Sequence, residues 1–170
     1  MKQIPLTKGK FALVDDSDYE RVNQFKWKAD YNQKGRNFYA SRTDCSVDPF
    51  VFVLMARFIM NCPEHLLVDH KNHNTLDNQR YNLRTCTPIQ NQHNARSRVN
   101  SSSMYKGVSW NKGSKKWHAR IRLTDIFGQS CVQNLGSFTN EKEAAEVYDK
   151  VAKEHHGEFA CLNFPLVEGS

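Results

Sequence analysis

With 170 residues and a formal net charge of +6, from 24 Lys+Arg against 18 Asp+Glu, the chain has room for one domain or two small ones. Its 3 Trp, 6 Tyr and 10 Phe exclude a disordered polar chain, and its longest apolar run, Phe50 to Ala56, is too short to span a bilayer. Five scattered cysteines with no C-x-x-C pair argue against a zinc ribbon and a disulfide framework, so no structural zinc is expected.

The opening MKQIPLTKGK has no apolar stretch of the signal-peptide kind, and a cytoplasmic, unsecreted protein with no membrane partner is expected. Phe11–Val14 predicts a strand, and Asp16 or Ser17 caps a brief helix running to Phe25. Tyr39–Arg42 and Phe50–Leu54, rich in aromatic and β-branched residues, predict two more strands. Met55–Met60 predicts a helical turn or two, stopped by Asn61-Cys-Pro63. Leu66–His70 reads as a strand entering an Asn-rich loop, Lys71–Gln79, with Tyr81–Arg84 as the returning strand. Thr87-Pro-Ile-Gln90 has the chemistry of a helix start, and that helix is expected to reach about Arg98.

Residues 99–103 read as a Ser-rich linker. Beyond them Tyr105–Val108, Lys116–Arg122 and Gln129–Leu135 predict three strands. Asn140, with Glu143 three residues on, starts a last helix that ends at Gly157. Its apolar face is expected to carry Ala144, Tyr148, Val151, Ala152 and His155.

Two features carry chemistry. The first is Asp69-His70 at a strand end, with Asn82 twelve residues after His70 and Asn91 twenty-two after Asp69. In a strand–loop–strand–helix unit, Asp69 and the first turns of the helix can converge, and two hard oxygen ligands suit one Mg²⁺ or Mn²⁺ ion. An adjacent histidine can take a proton from water near neutral pH. The stretch VDHKNHNTLDNQRYNLRTCTPIQNQHNARS resembles the HNH, or ββα-metal, endonuclease motif over about 30 residues. That resemblance implies His70 as general base and Asp69 and Asn91 as metal ligands. It gives Asn82 a structural role in tying the loop that aims His70. It also makes Arg84 and Asn94 helpers near the phosphate, with Arg98 a phosphate contact. The segments LTKGKFALVDDSDYERVNQFKW and MARFIMNCPEHLLVDH resemble phage and mobile-element HNH proteins, which implies a bacterial or phage-infected cell. Ala56 stands where such relatives often carry a histidine.

The second feature is a basic stretch. From Ala95 to Leu123 there are eight basic residues and no acidic one, a pattern that suits a polyanion. In Lys116–Arg122, Trp117, Ala119 and Ile121 alternate with His118, Arg120 and Arg122, so one face can pack while the other meets a ligand. YKGVSWNKGSKKWHARIRL and NLGSFTNEKEAAEVYDKVAKEHHGEFACLNFP resemble the Apetala-two/ethylene-response-factor DNA-binding domain. That family lays a three-stranded sheet in the major groove, which implies Lys106, Arg120 and Arg122 as DNA contacts, with His118, Trp110 and Asn111 beside them. Asn134 falls where relatives often place a base-contacting Trp. Gly107 and Gly136 are expected to serve backbone geometry, and Tyr148 to pack against the sheet.

The expected class is therefore α+β: a small β-rich N-terminal region with a ββα-metal nuclease core at 66–98 inside a domain at 1–98, a linker at 99–103, and a three-stranded antiparallel sheet packed on one helix at 104–165. The expected activity is metal-dependent hydrolysis of double-stranded DNA, with a homodimer or a second event needed to cut both strands. The competing reading is a DNA-binding regulator with an inactive nuclease unit.

Overall fold

The computed structural model describes residues 1–46, 48–97, 100–125 and 128–164. It is a mixed α+β protein of small antiparallel sheets and four α-helices among the described residues, forming two compact units, Met1–Pro88 and Ile89–Ser170. Arg98, Val99 and Pro165 lie outside the described residues. No helix among the described residues is long and apolar enough to cross a membrane.

The first unit opens on a hairpin, β1 (Lys2–Pro5) with β2 (Phe11–Val14). α1 (Asp16–Asn23) follows, then the meander β3 (Lys28–Asn32), β4 (Asn37–Asp44) and β5 (Val51–Leu54). α2 (Met55–Met60) leads to a second hairpin, β6 (Leu67–His70) with β7 (Leu83–Cys86). One core joins them: Ile4, Val14, Val22, Trp27, Met55, Ile59 and Leu83 are all buried in it. β2 and α2 have the bounds expected from the sequence, and Asn61 ends α2 in the left-handed conformation at φ 50°.

Several boundaries differ from expectation, each for a local reason. α1 starts after Asp15, not Asp16 or Ser17, and the Asp15 carboxylate does not cap its own helix. It instead accepts the Arg80 backbone N–H (2.7 Å) and the Gln79 side-chain amide (3.2 Å), a bond across 65 residues that local pattern cannot show. The returning strand is Leu83–Cys86, two residues later than Tyr81–Arg84, because residues 79–82 form turns closed by Asn82 and Leu83 N–H bonds to the Gln79 carbonyl. β1 and β3 carry no strong strand signal, since only Ile4 and Ala29 in them are buried.

α3 (Pro88–Asn94), in the second unit from Ile89 onward, ends four residues short of Arg98. That unit's sheet has the order β10 (Ser130–Phe138), β9 (Lys116–Thr124), β8 (Val108–Asn111), all antiparallel. The sheet packs on α4 (Glu141–His156) through Val108 and Ala119 against Ala144 and Ala145, and through Ile121 against Tyr148 and Ala152. Asn140 caps α4, its Oδ1 accepting the Lys142 N–H at 2.8 Å. The first strand begins at Val108 and not at Tyr105, because Gly107 sits in a turn at φ +77°. On α4 the buried histidine is His156; His155 is exposed, and Ala145 and Asp149 join the buried face. Asp149 accepts the Asn163 and Phe164 N–H groups, which holds the chain after α4 against the helix.

Candidate nuclease site and nucleic-acid face

Pairing of β6 with β7 sets Asp69 opposite Arg84 and His70 opposite Leu83. Both charged partners are inside: Arg84 donates Nε–H (2.9 Å) and Nη2–H (2.7 Å) to Asp69 Oδ2. His70 is 5% exposed. Its Nε2 lies 3.2 Å from Asn78 Oδ1, and the Tyr39 ring meets it edge-on at 6.2 Å between centroids. Burial holds the His70 imidazole below the ordinary histidine range, against the Asn78 bond and the charges of Asp69 and Asp77, which favour the protonated form.

The loop between the strands is fastened from several sides. Asn82, 1% exposed, accepts the Asn72 N–H at Oδ1 (2.9 Å) and donates Nδ2–H to the Asp77 carbonyl (2.8 Å). Asn72 and Tyr81 both donate to Asp77 Oδ2, at 3.0 and 2.6 Å. β2 also holds the loop. The Leu13 N–H donates to the Leu76 carbonyl, and the Leu13 carbonyl accepts the Asn78 N–H, each at 2.8 Å. Thr75 Oγ1 donates to the Phe38 carbonyl at 2.5 Å. On the strand's other flank Arg57 donates to the carbonyls of Leu66, Cys62 and Pro63. Ala56, beside it on α2, is buried in the core.

Truncating Asn82 leaves the buried Asp77 carbonyl and the Asn72 N–H without these partners. Asn82→Ala is expected to cost about 1–3 kcal/mol in urea unfolding and to loosen the loop. Amide exchange at Asn72 should then rise well beyond what the global loss of stability explains. A variant with unchanged Asn72 protection would remove Asn82 from the loop's support.

The remaining candidates belong to the second unit. Asn91 is half-buried on α3, and Asn94 is buried at its end. On β9, Arg120 and Arg122 are exposed and point away from α4, while Ala119 and Ile121 face it. Asn134 pairs with Arg120 and is exposed beside it. His118 shares that face, with Nε2 3.2 Å from Ser114 Oγ and Nδ1 3.4 Å from Arg120 Nη2. The other three have partners of their own. Trp110 pairs with Trp117 and meets its ring at 5.0 Å, on the face that packs toward α4. Asn111 uses its Oδ1 to close the hairpin, accepting the N–H groups of Gly113 and Ser114. The Lys106 ammonium donates to the His93 carbonyl, and burial lowers its pKa.

His93 and His156 stack at 3.7 Å and 8° between planes, a contact that sequence spacing does not reveal. They line a cavity of about 390 Å³ with Lys106, Arg120, Arg122 and Tyr148. Burial, then the neighbouring His156 and Lys106, pushes His93 down to about 4; burial also lowers His156. A histidine depressed in the folded state contributes stability above its unfolded value near 6.5, and that contribution is lost as pH falls toward about 4. The urea midpoint of the second unit is therefore expected to drop between pH 6.5 and 4, followed by Trp fluorescence. His93→Gln should flatten that slope; equal slopes would count against the pair.

Among residues missed in the sequence, Tyr39 and Asn78 touch His70 directly. Tyr39 carries no local signal, lying 31 residues upstream, and Asn78 reads as an ordinary turn former.

No known family profile matches the chain. The sequence is 29% identical, over 159 residues, to an uncharacterized HNH endonuclease of Acanthamoeba polyphaga mimivirus, a match spanning 92% of this chain and 76% of the viral protein. It is 36% identical over 64 residues to an ethylene-responsive transcription factor of Arabidopsis thaliana, covering 38% of this chain and 14% of the plant protein.

Proposed function

We propose that this protein is a metal-dependent DNA endonuclease in which His70 is the general base and the sheet of the second unit binds the target. One observation supports this above the rest: Asp69 and a buried, neutral-leaning His70 leave the same strand end, above a loop that Asn82 and β2 hold still. Asn78 Oδ1 accepting from Nε2–H selects the tautomer whose lone pair is on Nδ1, the atom that would take a proton from water. Asp69 suits a hard divalent ion, because a carboxylate is a hard oxygen donor. Among the described residues no three His, Cys, Asp or Glu side chains gather at one point. A Mg²⁺ or Mn²⁺ held at Asp69 would complete its shell with water and phosphate oxygens. Bound there, the ion supplies charge stabilisation on the phosphate and the leaving oxygen. Arg120, Arg122, His118 and Asn134 supply a polar, cationic strand face of the kind that fits a major groove. The products of such hydrolysis carry 5′-phosphate and 3′-hydroxyl ends.

Ala56 supports the competing reading, a DNA-binding regulator without cleavage. Supercoiled plasmid incubated with Mg²⁺ or Mn²⁺, with EDTA as control, separates the two. Metal-dependent nicking that Asp69→Ala abolishes is expected. Retained duplex binding with no nicking at any metal concentration would establish the regulator instead. Arg120→Gln with Arg122→Gln should flatten the salt dependence of duplex binding by about one slope unit per lost phosphate contact.

A further inference from the structure

The Asp69–Arg84 pair has chemistry that the nuclease reading does not use. β pairing places the two residues directly across from one another, so their meeting is built into the hairpin. Their side chains are 8% and 10% exposed, and two guanidinium N–H groups converge on the single oxygen Oδ2. A carboxylate removed from water to this extent needs a counter-charge, and a guanidinium, which does not deprotonate, provides a permanent one. A divalent cation drawn to Asp69 meets that charge at the oxygen it would coordinate. The cation and the guanidinium therefore oppose each other, both by competing for Oδ2 and by like-charge repulsion. Strand pairing keeps the Arg84 backbone in place, so a displaced guanidinium stays close to the site.

We propose that Arg84 is a built-in counter-ion for Asp69 that holds Oδ2 in the metal-free protein, yields it when a divalent ion binds, and thereby sets the metal affinity. The inference rests on the reading of Asp69 as a metal ligand and adds a regulator of that ligand. Arg84 is a positioning residue here, acting through Asp69. Its displacement leaves a planar cation beside the site, suited to a phosphate oxygen. The protein thus trades an internal ion pair for a metal, and its affinity for the ion is lower than an unopposed carboxylate would give.

The test measures Mn²⁺ and Mg²⁺ binding to the full chain by calorimetry, with no DNA present. The proteins are the wild type, Arg84→Gln, Arg84→Lys and Asp69→Asn. Arg84→Gln should bind Mn²⁺ about tenfold more tightly than the wild type, Arg84→Lys should stay close to it, and Asp69→Asn should lose binding. On the wild type itself, the Nε–H resonance of Arg84 should shift during a Mg²⁺ titration with the calorimetric midpoint, a readout that needs no variant to fold. Arg84→Gln binding Mn²⁺ equally or more weakly, while Asp69→Asn loses it, overturns the counter-ion and leaves the nuclease reading intact. An Arg84 resonance unmoved at saturating Mg²⁺ overturns it in the same way. Asp69→Asn binding the ion as well as the wild type overturns both the counter-ion and the ligand assignment beneath it.

Discussion

His70→Ala is expected to slow plasmid cleavage by about 10²–10⁴ while leaving the affinity for duplex DNA at the wild-type level. In the proposed reaction the imidazole takes a proton and does not hold the polymer. It is buried and backed by Asn78 and Tyr39, while the exposed cations Arg120 and Arg122 lie on β9. Removing the ring also opens a small void beside Tyr39, so a stability measurement belongs with the kinetics. The comparison that decides is His70→Gln, which retains polar bulk without a base of the right strength. Both variants should bind a labelled duplex normally and cut it slowly. Cutting at the parental rate by either would take His70 out of the reaction.

Gly107→Ala is expected to destabilise the second unit by about 2–5 kcal/mol, combining left-handed backbone strain with overpacking. At φ +77° an L side chain is disfavoured, and a Cβ built there would lie 2.0 Å from Tyr148 Cδ2 and 2.3 Å from Cε2. That ring cannot give way easily. Tyr148 is buried between Ile121 and Ala152, and its phenol is pushed above the ordinary range chiefly by that burial. Gly9 offers the control, because its φ is +63° but nothing lies within 4 Å of the added carbon. Gly9→Ala should cost only the backbone preference, about 1 kcal/mol. Similar urea midpoints for the two variants would show that the Tyr148 contact is not what demands glycine at 107.

Elements set by local chemistry were legible in the sequence. α2 carries its stop signal in Asn61, α4 carries its cap in Asn140, and the alternation of Trp117, Ala119 and Ile121 with Arg120 and Arg122 divides β9 into two faces. What failed depended on distant partners. The start of α1 follows from Asp15 bonding to Arg80, and β1 and β3 form through pairing with strands whose side chains supply the burial. The same division runs through the candidate site. Asp69, His70 and Asn82 are neighbours in one motif and can be picked out from it. Tyr39, Leu13 and Phe38 reach the His70 loop from unrelated parts of the chain, through ring contact or main-chain carbonyls that any residue type could supply. Trp110 and Asn111 have roles in the hairpin that the resemblance did not indicate: Trp110 packs on Trp117, and Asn111 Oδ1 closes the turn.

The Asn-rich loop between β6 and β7 has the composition of a segment that proteases cut first. Its N–H groups at Asn72 and Asn78 are instead bonded to Asn82 and to the Leu13 carbonyl, and Thr75 is tied to β4. It follows that this stretch has no private opening motion: to admit an enzyme's active site, the chain must first peel away from the N-terminal hairpin. Limited proteolysis at 71–79 therefore becomes a gauge of the whole first unit, its rate tracking urea stability variant by variant. The polar loop that looks expendable would then be among the last places in that unit to be nicked.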